Sequence, residues 1–307
     1  MSRLFLSILL GFLILLLLLA CVILLRRAAY PHFRTLEDSR NRESTYVDID
    51  QYEKLAKEDY VIDSFDGYRL HCTFVPGQNH KKIVILTHGR GYTFWGCIKY
   101  LMMFHTLGYC AIFYDNRGHG RNQKHVVTMG YLEKHDLLTV IEDTKRRYGS
   151  DCFIGLHGES MGSAISLLAL AYTSSIRFVI SDCGYSDLTF FYRMLVTSKV
   201  RGFRWLVLLC NPLNKLLFGY YLSSVKPMDS LYQNQVPICF IHGAKDKLVD
   251  CCNAKRMYDA NLGYKELHIF YEAHHADSYR SDPLRYQAIL EQFLYKVEHD
   301  IPSTHED

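Results

Sequence analysis

One run constrains the fold more than any other: Cys152-Phe-Ile-Gly-Leu-His157-Gly158-Glu159-Ser160-Met161-Gly162-Ser-Ala-Ile-Ser-Leu-Leu168. An apolar strand (Phe153, Ile154, Leu156) meets a small-residue helix (Ala164, Ile165, Leu167, Leu168) across a turn of a few residues. Such a turn needs backbone that only unhindered positions tolerate, and the G-x-S-x-G spacing leaves no side chains beside Ser160. The serine hydroxyl is lifted above the sheet, and the Met161 amide points from the positive end of the new helix toward any oxyanion formed there. The same pattern without chemistry would be a serine in a tight strand–helix turn. The strand before it and the helix after it are the context that makes it a nucleophile elbow.

Around this run the chain repeats a single alternation. Tyr60 to Val75 reads as a hairpin turning at Asp66-Gly67. Apolar runs follow at 83–87, 109–114, 153–156, 178–180, 238–241 and 267–271, most of them separated by helical patterns. Strands with no polar face, alternating with helices, predict an α/β protein with a mainly parallel central sheet covered on both faces, binding ligands beyond the strands' C-terminal ends. With 49% apolar and 22% charged residues the 307-residue chain can bury a large core, and a net charge of +3 without a long basic run gives no argument for nucleic acid, so no nucleic-acid partner is expected.

The amino terminus stands apart. Leu4 to Leu25 is almost unbroken Leu, Ile, Phe and Val without charge. At ~1.5 Å per residue a helix of that length spans roughly 33 Å, enough to cross a bilayer core. A transmembrane anchor ranks above a lipoprotein signal ending at Leu18-Leu-Ala-Cys21, because apolar residues continue past the cysteine, and above a cleaved signal peptide, whose apolar region is shorter. Arg26, Arg27 and Arg34 on the far side favour a cytoplasmic catalytic domain. Cys110, Cys152 and Cys239, embedded in apolar runs rather than a disulfide framework, point the same way, with an extracytoplasmic domain as the alternative. The organisation expected is an anchor over 1–27, a linker and lead-in helix over 28–58, a catalytic domain over 59–300 and a tail over 301–307.

Polar residues punctuate the strand ends. After 83–87 comes Thr87-His88-Gly89-Arg90-Gly91, where a glycine pair lets the Arg90 amide face Ser160 and form an oxyanion hole with the Met161 amide. Asp115-Asn-Arg117-Gly118-His119-Gly120 reads as a structural turn bracing nearby loops rather than a catalytic pair. His157 reads as a packed histidine pointing away from Ser160. An insertion over about 188–232, rich in Phe190, Phe191, Tyr192, Phe203, Trp205, Leu206, Leu208, Phe218, Tyr220 and Tyr221, is expected to cover the site as a short helical lid, with contact to the membrane or an ordinary packed helical excursion as the alternatives. A histidine base needs a carboxylate to fix its tautomer; Asp246 is the first candidate, with Asp250 and Asp182 behind it. At the last strand end stand His274 and His275, of which one at most can reach Ser160. Neither they nor Cys251-Cys252 has metal-ligand spacing, so no metal or other cofactor is expected.

With the order Ser160, Asp246, His275, each just past a strand, the chain resembles the α/β-hydrolase superfamily over about Tyr60 to Val297. The motifs His88-Gly89, Asp115-Asn-Arg-Gly-His-Gly120, Gly158-Glu-Ser-Met-Gly162, His242-Gly-Ala-Lys-Asp246 and His275-Ala-Asp-Ser-Tyr279 carry the likeness. Within it the chain is similar to bacterial membrane-anchored serine hydrolases of the serine-aminopeptidase-like and acylaminoacyl-peptidase-like branch. That branch's His-Ala-x-Ser-Tyr motif selects His275 over His274; Asn122 departs from its pattern, where a serine is common. The resemblance implies an α/β-hydrolase fold and acyl transfer by a Ser-His-Asp triad. The apolar lid favours a carboxylic ester with a small-to-medium hydrophobic acyl group as the small-molecule substrate. A peptidase or amidase with the same triad, and a non-catalytic membrane-tethered binding protein on this fold, are the alternatives. The membrane is the one macromolecular partner expected, and oligomeric state is left open.

Overall fold

The computed structural model describes residues 3–199 and 205–301, and Phe203 of the expected lid lies outside them. Eight strands form one sheet in the order β1-β2-β4-β3-β5-β6-β7-β8. They are β1 Glu58–Asp63, β2 Arg69–Val75, β3 Asn79–Thr87, β4 Tyr109–Tyr114, β5 Phe153–Glu159, β6 Ile176–Asp182, β7 Ile238–Gly243 and β8 Lys265–Phe270. The β1–β2 hairpin turns through Gly67, whose φ of +79° suits glycine, and β2 pairs antiparallel with β4. From β4 to β8 every pairing is parallel.

The helices are α1 Arg3–Ala29, α2 Leu36–Glu43, α3 Ile49–Glu53, α4 Ile98–Thr106, α5 Glu133–Tyr148, α6 Met161–Ala169, α7 Leu188–Lys199, α8 Leu206–Phe218, α9 Cys252–Ala260, α10 Ser278–Ser281 and α11 Pro283–His299. Because side chains alternate along a strand, Ile83 and Ile85 of β3 face one core with α5, α6 and α9, whereas Val84 and Leu86 face another with α4 and α11. The sheet is thus covered on both sides, and its continuous apolar strands are explained. This is the α/β-hydrolase architecture.

Residues 28–58, expected as a linker and lead-in helix, hold more helix than that: α1 continues to Ala29, and α2 and α3 follow, the first held by a Thr35 capping box with Asp38. Glu43 at the end of α2 is fully buried, so this segment is packed onto the domain. The apolar helix α1, 27 residues long, is long and apolar enough to cross a membrane. Its residues from Leu4 to Leu19 are largely exposed, while Cys21, Leu25 and Ala29, one turn apart, are buried where the helix meets α8.

Candidate active site

The elbow owes its shape to crowding. Ser160 sits at φ +57°, ψ −113°, a conformation that L-residues avoid and that the close packing around it imposes. A Cβ on Gly158 would lie 2.2 Å from the Gly162 carbonyl oxygen, and one on Gly162 would lie 2.0 Å from that of Thr87. Both positions therefore require glycine.

Ser160 Oγ lies 2.9 Å from His275 Nε2, and His275 Nδ1 lies 2.6 Å from Asp246 Oδ2. A carboxylate only accepts, so Nδ1 carries the proton and Nε2 is free to accept from the serine hydroxyl. Asp246 also accepts from the amides of Leu248 and Val249, and His242 Nε2 stands 3.2 Å away. Burial opposes its ionisation, but the hydrogen bonds from His242 and His275 outweigh burial and hold the carboxyl well below its usual range. It is a charged acceptor throughout the neutral range, which suits it to stabilise an imidazolium.

The competing candidates are engaged elsewhere. Asp250 accepts the amide of Cys252. Asp182 accepts from the hydroxyls of Tyr100 and Tyr286, and burial together with the Glu159 charge raises it to about 6. His274 is exposed and contacts the Lys245 carbonyl. His157 is buried against the Tyr286 hydroxyl at 2.9 Å, and burial lowers it to about 3.

The Asp115–Gly120 turn braces the neighbouring loop directly. Asp115 accepts the amide of Phe94. His119 donates from Nδ1 to the Arg117 carbonyl and accepts the Gly91 amide at Nε2, at 2.9 Å in each case. His88 similarly accepts the Asn116 amide. Burial keeps both imidazoles neutral, near 3 for His119 and 4 for His88. The loop so fixed runs beside the elbow, where a Cβ on Gly89 would touch that of Ser160 at 3.5 Å. Among the described residues no acceptor takes the backbone amides of Met161, next to Ser160 in the chain, or of Arg90, in the loop beside it.

A buried charge network beneath the elbow has little local sequence signal. Lys99 of α4 lies 2.9 Å from Glu159 and 3.9 Å from Glu43, and Arg280 pairs with Glu43. Burial pushes Glu159 up, but Lys99 and the Tyr100 hydroxyl at 2.6 Å bring it down to about 2. These two cations and two carboxylates tie α2, α4, the elbow and the His275 loop together. The sole hint was a lysine inside the apolar run Ile98-Lys-Tyr-Leu-Met-Met-Phe104. His242, four residues before Asp246, likewise shows its part only through its contact with the Asp246 carboxylate. Cys239, Glu266 and His268 come close enough to hold a metal ion, but Glu266 is already shared by Tyr264, His268 and Lys296. That cluster lies toward the strands' N-terminal ends, at the sheet edge away from Ser160.

A cavity of about 440 Å³ opens onto Ser160 and His275, walled by α1, the Tyr185 region and the lid helices α7 and α8. A smaller polar recess of about 180 Å³ reaches the same two residues. An activated hydroxyl beside an apolar chamber and unspent amides can carry out acyl transfer.

The family described as serine aminopeptidase, S33, matches residues 78–181. The uncharacterized protein YqkD of Bacillus subtilis (strain 168) is 30% identical over 268 residues, 85% of this chain and 87% of its own. Among solved structures, the Pyrococcus furiosus esterase Pf2001 aligns with a TM-score of 0.65 at 19% identity, over 80% of this chain and 94% of that one. The Pyrococcus horikoshii acylaminoacyl peptidase aligns with a TM-score of 0.62 at 18% identity, over 84% of this chain and 44% of that one. At these identities the two structures speak to fold, whereas the YqkD match spans most of both chains. The chain therefore belongs to the family of YqkD, within the serine-aminopeptidase-like branch of the α/β-hydrolases.

Proposed function

We propose that this hydrolase is a serine esterase cleaving a carboxylic ester with a small-to-medium hydrophobic acyl group. Ser160 attacks the carbonyl carbon while His275 Nε2 takes its proton. Asp246 orients the imidazole and balances its charge, and the Arg90 and Met161 amides hold the oxyanion. His275 then protonates the leaving alcohol, and water releases the acyl group from Ser160. The observation that carries this reading is the hydrogen-bonded line Ser160–His275–Asp246 at 2.9 and 2.6 Å, opening onto an apolar chamber. No cofactor is needed for these steps. The domain is held to the membrane by α1 on the cytoplasmic side, which the arginines after the span and the ten free cysteines support.

The test is covalent labelling of the full-length protein with a fluorophosphonate probe. Wild type labels, and Ser160→Ala and His275→Ala do not. A folded wild type that stays unlabelled contradicts the mechanism. A peptidase reading has one support, the serine-aminopeptidase description of the matching family. Parallel kcat/KM values for a nitrophenyl acyl ester and an aminoacyl anilide decide between them.

A further inference from the structure

The two recesses meeting at Ser160 have opposite character. The larger is apolar and includes Leu24, Leu25 and Ala28 of α1 together with Phe191, Leu206 and Leu222, so part of its wall is the root of the apolar N-terminal helix. The smaller is lined by Arg34, Arg42, Arg90 and Arg280 beside Tyr92 and Glu159, the carboxylate of Glu159 being already paired with Lys99. Arg280 is matched by Glu43, and Arg34 lies near Asp38, whose carboxyl it helps to lower. Among the described residues, Arg34, Arg42 and Arg90 form no salt bridge, and all three are exposed. Leu208, Leu209, Leu216 and Leu217 of α8, which packs against α1, are exposed, as is the apolar length of α1 from Leu4 to Leu19. An apolar surface of this kind at the foot of a spanning helix fits the bilayer interface.

Resting on the esterase reading above, we infer that the substrate is a single-chain anionic lipid ester drawn from the membrane. Its acyl chain occupies the chamber walled by α1 and the lid, its ester carbonyl meets Ser160, and its phosphate lies among Arg34, Arg42 and Arg90. Guanidinium groups match phosphate by charge and paired hydrogen bonds, and three of them around one recess select an anionic head over a neutral one. The bond broken joins the acyl carbon to the glycerol oxygen. His275 returns the serine proton to that oxygen, and one water completes release, giving a fatty acid and a glycerol phosphate. The apolar wall made by α1 places the chain's path at the membrane surface, so the lipid need not cross water.

The experiment uses full-length protein in phosphatidylcholine vesicles containing either monolauroyl glycerol phosphate or neutral monolauroylglycerol at equal mole fraction. The kcat/KM ratio of the phosphate lipid to the neutral one is expected to exceed about ten-fold in wild type. It should fall toward unity in the R34Q/R42Q double variant, and in wild type as added salt screens the exposed arginines. Equal rates on the two lipids, or a ratio unmoved by both the double variant and salt, would overturn the inference. So would a water-soluble short-acyl glycerol phosphate cleaved as fast as the vesicle-borne lipid, since that removes the membrane as source. A soluble nitrophenyl ester separates the levels. Turnover of that ester without discrimination between the lipids sinks only the lipid assignment, whereas no turnover and no fluorophosphonate labelling sinks the esterase reading itself.

Discussion

The charge network under the elbow predicts a measurable imbalance. Lys99, Glu43, Glu159 and Arg280 form a buried set of two cations and two carboxylates. Lys99→Met leaves two carboxylates facing one cation. The structure sets the scale in two ways. Glu159 is brought from its ordinary 4.5 to about 2, which converts to about 3 kcal/mol of stabilisation. Removing one partner of a buried pair costs roughly 3–5 kcal/mol by a separate route. These measure the same interaction and are not summed. The expected loss in Lys99→Met is about 3–5 kcal/mol, read as a fall in thermal midpoint of roughly 6–20 °C for a domain of this size. Lys99→Met/Glu159→Gln restores balance, since Glu43 and Arg280 remain matched and Gln keeps the Tyr100 hydroxyl as a partner. It should recover most of the loss. The depressed carboxyl also fixes the pH sense: its contribution is fully present above about 4.5 and is lost as pH falls through about 2. Denaturant titrations of wild type, the single and the double variant in detergent make the cycle. A single-variant loss under about 1 kcal/mol would mean the ions are effectively solvated. A double variant no more stable than the single would mean packing, not charge, was lost.

Three further outcomes are expected. Asp246→Asn should lower kcat by about 10³–10⁴-fold with KM little changed, while Asp250→Asn and Asp182→Asn stay within about ten-fold of wild type; a reversed order in steady-state kinetics would refute the assignment of the acid. His88, His119 and His157, lowered to about 4, 3 and 3, are neutral when folded and must take up protons on unfolding below pH 6.5, whereas Asp182, raised to about 6, opposes them by one proton. These four groups favour uptake of a net two protons on unfolding near pH 5, about 2.7 kcal/mol per pH unit, which Glu133 and Asp136, both raised by burial, reduce; a denaturation midpoint that rises from pH 7 to pH 5 would contradict this. Gly162→Ala drives a Cβ to 2.0 Å from the Thr87 carbonyl oxygen and should abolish fluorophosphonate labelling along with the native near-ultraviolet circular dichroism.

The site was legible where chemistry follows local pattern. The elbow is a strand, two obligatory glycines and a helix in one run, and the chain order of polar strand ends brought Asp246 forward, while the resemblance selected His275 over His274. Choosing among Asp182, Asp246 and Asp250 needed distances, because each ends a strand or caps a turn in the same way. The charge network was not legible for a different reason. A charged residue in sequence signals solvent unless its partner is known, and the partner of Glu43 is 237 residues away at Arg280. Residues 28–58 therefore read as a linker, although their one buried glutamate secures the loop that carries His275.

The N-terminal helix shows the same limit from the apolar side. An amphipathic helix reveals its buried face by contrast, and a helix that is apolar all round offers none. Cys21, Leu25 and Ala29 sit on one stripe and pack against the domain, yet the residues before Arg26 are Leu, Ile, Val and Ala on nearly every side and give that stripe no contrast. A uniform run of this kind is long enough to span a bilayer and greasy enough to wall a cavity, and composition does not separate the two uses. In this chain the same helix has both properties, one along each part of its length: an exposed apolar stem from Leu4 to Leu19, and a buried root that reaches the chamber over Ser160. Truncating the stem should release the enzyme from membranes, whereas truncating through Ala29 should also open one wall of the acyl chamber. The first deletion is then expected to spare turnover of a soluble ester, and the second to raise its KM.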